Sequence, residues 1–319
     1  MCGTSFFKKF FKKFDNSMKN IEKSLPKVRG KLSFNEPLAK KNWFGVGGSA
    51  QIYFEPADID DLKMFLSKTK GIPFTILGAG SNVLIRDGGI LGITIRLGKA
   101  FSNVEVKDDL LICKAGTMVM EVSRVAEKNC LSGFEFLCGI PGTVGGGIRM
   151  NAGAYGSSMH EILKSLTVLT KDGKVQCLEQ EELAEAFSYR RCYLPNEWIF
   201  LEAVFQGKKE PNNLSIQQKM QLNRQKREAG QPMGVRTAGS TFKNPEGIPA
   251  WQLIERAGMR QAKVGGACVS DKHANFLINT GKATAKDIEQ LGETIRQKVF
   301  EKEGILLEWE VRKLGVEDE

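Results

Sequence analysis

The sequence predicts an α+β protein of two or three domains. Its 319 residues are more than one small hydrophobic core organises and fewer than four domains need. Strand-like runs with helical patterns between them fill the chain up to about residue 207. The polar, helix-favouring LSIQQKMQLNRQKREAG then marks a boundary, beyond which helices alternate with short strands. The expected division is an N-terminal extension (1–30), two subdomains (31–98 and 99–207) and a C-terminal domain (208–319).

Taken in order, AQIYFEP from Ala50 reads as a strand, and DIDDLKMFLSKTK reads as a helix whose acidic first turn suits the positive end of its dipole. IPFTILG is a strand running into a glycine turn. ILGITIRL and LLICKAG are further strands, MVMEVSRVAEKNC is the next helix, and LKSLTVLT, KVQCLEQ and WIFLEAVF complete the strand-rich region. After the polar helix come GSTFKNP, the helix WQLIERAGM, the strand ANFLINTG, the helix TAKDIEQLGETIRQKVFEKEG and a last strand, ILLEWEVRKLG.

Composition excludes several classes. At 41% apolar and 26% charged residues the chain is an ordinary globular one, and its apolar runs are too short and too glycine-broken to cross a bilayer. Seven cysteines without a C-x-x-C pair, and only His160 and His273, argue against a zinc site or a disulfide framework and fit a reducing, cytoplasmic compartment. The net charge of +9 suggests nucleic-acid binding only until it is located. Nine basic and two acidic residues lie between Met1 and Lys31, which leaves +2 for the rest of the chain, so no nucleic-acid partner is expected. In that basic extension Phe7, Phe10, Phe11, Phe14, Met18, Ile21 and Leu25 share one face of a helix and the lysines the other, a pattern suited to lying on an anionic membrane; a solvated tail is the competing reading.

Two glycine clusters carry the next signal. In ILGAGSNVL, Gly78 and Gly80 follow a strand beside Ser81 and Asn82, a pattern that serves as an anion nest or as a plain turn. It is not the dinucleotide fingerprint, because S-N-V follows G-x-G where x-x-G and a helix would be needed. The second cluster, Gly139 to Gly147, packs five glycines and one proline into nine positions, with Asn151, Gly153 and Ala154 close behind. Such density suits a flat ligand passing directly over backbone better than it suits a tight crossover.

ILGAGSNVLIRDGG, GFEFLCGIPGTVGGGIRMNAGAYG, FSYRRC, AGSTFKNP, VGGACVSDKHANFLIN and LEWEVRKLG, in this order, resemble the UDP-N-acetylenolpyruvoylglucosamine reductase family over about Phe44 to Gly315. The resemblance implies a FAD-binding domain of two subdomains, of the PCMH/vanillyl-alcohol-oxidase type, and a C-terminal α+β substrate domain. It implies reduction of the enolpyruvyl ether of UDP-N-acetylglucosamine to UDP-N-acetylmuramate by NADPH through FAD. The flavin is expected to be non-covalent, since neither histidine lies in a glycine cluster. By resemblance, Gly78, Ala79, Gly80, Ser81 and Asn82, then Gly139, Ile140, Pro141, Gly142, Thr143, Gly145 and Gly146, and after them Asn151, Gly153 and Ala154, hold FAD; Tyr189, Arg227 and Asn244 meet the UDP-sugar; Arg190, Ser240 and Glu310 are catalytic, and no metal is involved. Two departures stand out. Gly230 occupies a position where many members carry lysine, so that contact is absent or falls to Arg227, Lys226 or Arg236. The strand WIFLEAVF follows Tyr189-Arg190 within ten residues, which resembles the shorter subtype without the long tyrosine-bearing loop.

The chemistry selects these residue types. A hydride must reach the terminal carbon of the enolpyruvyl group and a proton the carbon bearing the carboxylate, with negative charge developing between the two events. A planar guanidinium can hold that carboxylate bidentately, which suits Arg190; Arg191 beside it would then face solvent. Ser240 is the proton donor by resemblance, although a capping serine is the residue-level alternative. Glu308 and Glu310 alternate on one face of the last strand, and the resemblance selects Glu310. His273 reads as structural. An oxygen-using oxidase and a non-catalytic flavoprotein are the competing functions; the first leaves GSTFKNP and the EVR strand unexplained, the second leaves Arg190, Ser240 and Glu310 unexplained.

Overall fold

The structure, a computed structural model, describes residues 25–318, so nearly all of the amphipathic segment 5–25 lies outside the described residues. Three sheets organise the rest. The first, in the order β1-β2-β5-β3, comprises β1 (Lys31–Pro37), β2 (Ser49–Glu55), β3 (Phe74–Ile76) and β5 (Ile90–Ile95). β2, β5 and β3 run parallel, joined by helix α1 (Ile59–Lys68), and β1 is antiparallel to β2. The acidic start of α1 does more than complement the dipole: Asp58 caps it by accepting from Asp61 N at 2.9 Å, and the Asp61 carboxylate accepts from the amides of Arg29, Gly30 and Ala57. Its apolar stripe seats Phe65 against Phe54, ring centres 4.1 Å apart.

The second sheet is antiparallel throughout. It holds β6 (Val104–Lys107), β7 (Leu110–Lys114), β8 (Leu163–Leu169), β9 (Val175–Glu179) and β12 (Ile199–Gln206) in the order β9-β8-β12-β7-β6. Helix α2 (Val119–Lys128) buries Val119, Val122 and Ala126 against it. The first two sheets meet where Leu169, Ile199 and Leu201 pack among Ile52, Phe54, Ile93 and Ile95.

The glycine-rich stretch after residue 139 departs from the extended loop that its composition suggests. Part of it forms a short helix, α3 (Val144–Arg149). Glycine in a helix costs about 1 kcal/mol relative to alanine, but packing demands it here. A Cβ on Gly147 would sit 2.4 Å from Met159 Sδ, and one on Gly145 would be 3.1 Å from Ala115 Cβ.

The polar segment after residue 207 forms α4 (Leu214–Gly230), which seats Ile216 and Met220 on Cys138. The third sheet, β13 (Lys263–Val264), β14 (Ala267–Val269) and β15 (Leu277–Asn279), packs under α5 (Ala250–Arg256) and α6 (Ala285–Glu303). A Thr284–Asp287 capping box opens α6 and the left-handed Gly304 closes it. This core is not confined to the C-terminal part, since Phe44, Val46 and Leu84 are buried in it.

ILLEWEVRKLG is not one continuous strand. Ladder pairing covers only β16 (Arg312–Leu314), which lies parallel to β4 (Val83–Ile85). Upstream, a single antiparallel bridge from Trp309 to Phe242 remains, and side-chain docking does the rest. The Trp309 indole lies where a Cβ on Gly292 would be, 2.2 Å from that position, and it donates to Glu293 Oε1 at 2.8 Å. The chain end is thereby returned to the strand that leaves the first glycine turn. Among the described residues no helix is long and apolar enough to cross a membrane, no group of side chains could hold a metal ion, and the cysteines are free.

Candidate active site

A cleft of about 1070 Å³ opens where both glycine segments meet the C-terminal domain. Gly78 to Asn82 all line it, as do Gly139 to Thr143, Gly145, Gly146, Gly153 and Ala154. The two segments interlock: Ser81 Oγ donates to the Pro141 carbonyl at 3.1 Å, and a Cβ on Gly78 would come within 2.8 Å of Thr143 Oγ1. Gly142, at φ +131°, brings its backbone beside the Ser81 hydroxyl.

Charge distinguishes this cleft from an ordinary apolar pocket. Its charged lining consists of four arginines, Arg149, Arg190, Arg227 and Arg312, and one acid, Glu310. Only Arg190 is in an ion pair among the described residues. Such an excess of cation suits ligands carrying diphosphates and a carboxylate. The bare backbone, the volume of the cleft and this charge all fit FAD.

The reactive end is built on two elements. β10 (Phe187–Ser188) and β11 (Arg191–Cys192) form a tight hairpin whose turn is Tyr189-Arg190. Arg190 adopts φ +54°, a left-handed conformation that costs a non-glycine residue about 1–2 kcal/mol. That geometry turns its guanidinium inward, where it donates to Gly153 O at 2.5 Å and to Glu310 Oε1 at 3.2 Å. Arg191 points outward and pairs with Glu308 at 3.0 Å, and Lys243 holds the same carboxylate at 2.7 Å. The two glutamates of the EWE segment thus meet the two arginines of the hairpin, the inner pair 20% and 16% exposed and the outer pair 50% and 57%. Burial pushes the Glu310 carboxyl above the usual carboxylate range in spite of Arg190, whereas Lys243 and Arg191 hold Glu308 below it.

Ser240 lines the same end. Its backbone makes an isolated bridge to Phe276, and the next residue, Thr241, accepts from Glu310 N at 2.8 Å. Asn82 ties the first glycine turn to this centre: its side chain donates to Glu310 O at 3.1 Å and its own carbonyl accepts from Arg312 N at 3.1 Å. Ser240, Glu310 and Arg190 therefore converge beside the glycine cradle.

Other expectations change. Asn151 does not line the cleft. It is buried beneath it, donating to Ser188 O and accepting from His160 N, so it supports the hairpin that carries Arg190. Tyr189 is half exposed beside Arg190 and outside the lining. Asn244 is exposed and accepts from Ala250 N at the start of α5. Gly80 lines the cleft, but its missing Cβ makes room for protein rather than ligand, since a Cβ would meet Lys41 O at 2.2 Å. Gly230 ends α4 in open surroundings, and of Arg227, Lys226 and Arg236 only Arg227 reaches the cleft, where its Nη1 donates to Gly139 O. His273 packs edge-on against Phe276 and Trp251, and burial lowers its proton affinity, as a structural histidine would show.

Sequence reasoning missed Arg149, Arg312 and Thr237. Arg312 stands two residues past Glu310, so strand alternation alone could have flagged it. Thr237 is buried and lines the cleft, and its hydroxyl has no partner within the protein. Gly146 offers the cleanest test of the cradle: it is exposed to the cleft, and a Cβ there would have only Thr143 Oγ1 nearby, at 3.4 Å. Gly146→Val should leave the melting temperature within a few degrees of wild type yet purify largely without flavin; stoichiometric flavin in the folded variant would remove Gly146 from the cofactor wall.

Comparison with known proteins places two family models on the chain: a FAD binding domain over residues 50–179, and the UDP-N-acetylenolpyruvoylglucosamine reductase C-terminal domain over residues 231–314. The UDP-N-acetylenolpyruvoylglucosamine reductase of Paramagnetospirillum magneticum is 48% identical over 92% of this chain and 94% of its own length. That of Rickettsia felis is 45% identical over 91% and 98%. The crystal structure of the UDP-N-acetylenolpyruvylglucosamine reductase from Thermus caldophilus superposes with a TM-score of 0.79 at 32% identity, covering 91% of this chain and all of the other.

Proposed function

This chain belongs to the UDP-N-acetylenolpyruvoylglucosamine reductase family, and we propose that Arg190, Ser240 and Glu310 carry its chemistry at the mouth of a cradle formed by the two glycine segments. The enzyme uses NADPH and FAD to reduce the enolpyruvyl ether of UDP-N-acetylglucosamine to UDP-N-acetylmuramate in peptidoglycan precursor synthesis. The observation that carries the assignment of roles is the convergence of one inward arginine, one buried carboxyl and one cleft-facing serine.

The chemistry that bound FAD supplies is hydride transfer, accepted from NADPH and then delivered to the substrate. The residues of the chain do the rest. Gly78 to Asn82 and Gly139 to Gly146 hold the cofactor, with backbone approach where Gly146 has no side chain. Arg190 receives the substrate carboxylate on its guanidinium fork and stabilises the negative charge that develops as the double bond is reduced. Glu310 keeps its proton more readily than a free carboxyl, so it can donate a hydrogen bond to that same carboxylate rather than repel it. Ser240 delivers a proton to the carbon bearing the carboxylate. Arg227 supplies a cation for the UDP-sugar in place of the lysine absent at Gly230. On this reading 31–98 and 99–207 are the cofactor subdomains and 208–319 closes over the substrate. Purified protein should show the twin flavin absorption bands, and acid precipitation should leave all of that flavin in the supernatant; flavin that stays with the pellet would contradict a non-covalent site.

The basic extension adds a question of place. We propose that the enzyme works in the cytoplasm and that residues 5–25 give it weak, reversible contact with anionic membrane, at on the order of 1 kcal/mol per nearby lysine with phenylalanine burial added. Phe6, Phe7, Phe10, Phe11 and Phe14, segregated from the lysines by helical spacing, support this. Full-length protein should pellet with anionic vesicles at low salt and be released at high salt, while a chain starting at Pro26 stays in solution with full activity; equal pelleting of both would refute it.

A further inference from the structure

Arg149 is a cleft arginine for which the chemistry above has no use. It closes α3, and its guanidinium donates to three backbone carbonyls, Leu194 O at 2.7 Å and Pro195 O and Trp198 O at 3.1 Å each. Its flat face lies 4.2 Å from the centre of the Phe200 ring. No carboxylate pairs with it among the described residues; Glu197 on the same segment is exposed and acts on it only through its charge. Burial pushes the guanidinium below its usual proton affinity, and the like charge of Arg312 adds to the effect.

Three carbonyls in a surface segment could be satisfied by water or by a neutral amide. A half-buried, unpaired cation is a costly way to do so. The cost is understandable if the charge has a task in the cleft that it lines. A fixed positive charge in surroundings of low dielectric favours the electron-rich form of whatever redox group lies beside it, and the three carbonyls and the ring prevent it from swinging away.

We propose that Arg149 is a fixed charge that raises the reduction potential of FAD bound in this cleft, easing hydride acceptance as NADPH becomes NADP+. The proposal rests on the cofactor reading above. Spectroelectrochemical titration of the FAD-loaded protein tests it with three variants. Arg149→Met and Arg149→Gln remove the charge, the second keeping an amide donor for the carbonyls; Arg149→Lys keeps the charge and loses the three-way bond. Both neutral variants should have a more negative midpoint by at least a tenfold change in the reduction equilibrium, about 30 mV for a two-electron couple, with Arg149→Lys closer to wild type than either. An unchanged midpoint in whichever neutral variant retains FAD overturns the proposal. So does a midpoint for Arg149→Lys as negative as the neutral ones, which would make the hydrogen bonds and not the charge responsible. Loss of FAD from both neutral variants assigns Arg149 to binding and overturns it as well. Wild-type protein without flavin bands would instead sink the cofactor reading, so the two failures are distinguishable.

Discussion

Ser240→Ala should keep its FAD and be reduced by NADPH at close to the wild-type rate, yet lose substrate turnover by about 10²-fold or more, because only the second half of the reaction needs a proton donor. The structure sharpens this expectation. Ser240 lines the cleft without a side-chain bond to Glu310 or Arg190, so removing its hydroxyl leaves the ion pair between them standing. Its backbone bridge to Phe276 is also untouched by the substitution. Stopped-flow absorbance resolves the two halves. Flavin reduction slowed as much as reoxidation would mean that Ser240 shapes the site rather than donates the proton.

Arg190→Met should lower turnover by about 10²- to 10³-fold, the usual scale for removing a preorganised donor to developing negative charge. It should also move the pH dependence. In wild type, burial raises the Glu310 carboxyl and the Arg190 cation opposes that rise. Without it, burial is opposed only by the charge of Lys243, so the proton is held to higher pH. Residual activity that needs a protonated Glu310 falls as pH rises through its folded value, and that descending limb should shift upward in the variant. A limb displaced to lower pH would contradict the role given to Glu310. Arg191→Met is the matched control: its exposed pair with Glu308 is screened by water, and turnover should change less than about twofold.

How far the sequence reaches differs between elements. α1 and α6 are legible because their starts and apolar spacing agree, down to the Thr284–Asp287 box and Gly304, whereas α4 is legible from its polar, helix-favouring composition, since no side chain caps it. The residues that converge at the reactive end are named by motif, yet neither motif nor periodicity indicates that Arg190 reaches its place through a left-handed turn. The short helix inside the second glycine cluster is invisible to propensity, since close approach to Met159 and Ala115, and not helix preference, selects its glycines. The last strand reads as one run of alternation because Leu307 is buried and Trp309 partly so, but docking on α6 and a single bridge to Phe242 place them, not a continuous ladder. Asn151 and Asn244 sit in the right motifs and hold backbone instead of lining the cleft, a difference that only geometry shows. Arg149 had no signal at all, its carbonyl partners lying 45 residues or more away.

On this reading one cleft takes a hydride from NADPH and returns it to an enolpyruvyl ether. Anaerobic titration of the wild-type protein tests it most directly. NADPH should bleach the flavin bands, and one equivalent of the enolpyruvyl ether of UDP-N-acetylglucosamine, added without oxygen, should restore them with UDP-N-acetylmuramate as product. Bands that return only when air is admitted would contradict the account and point to an oxidase.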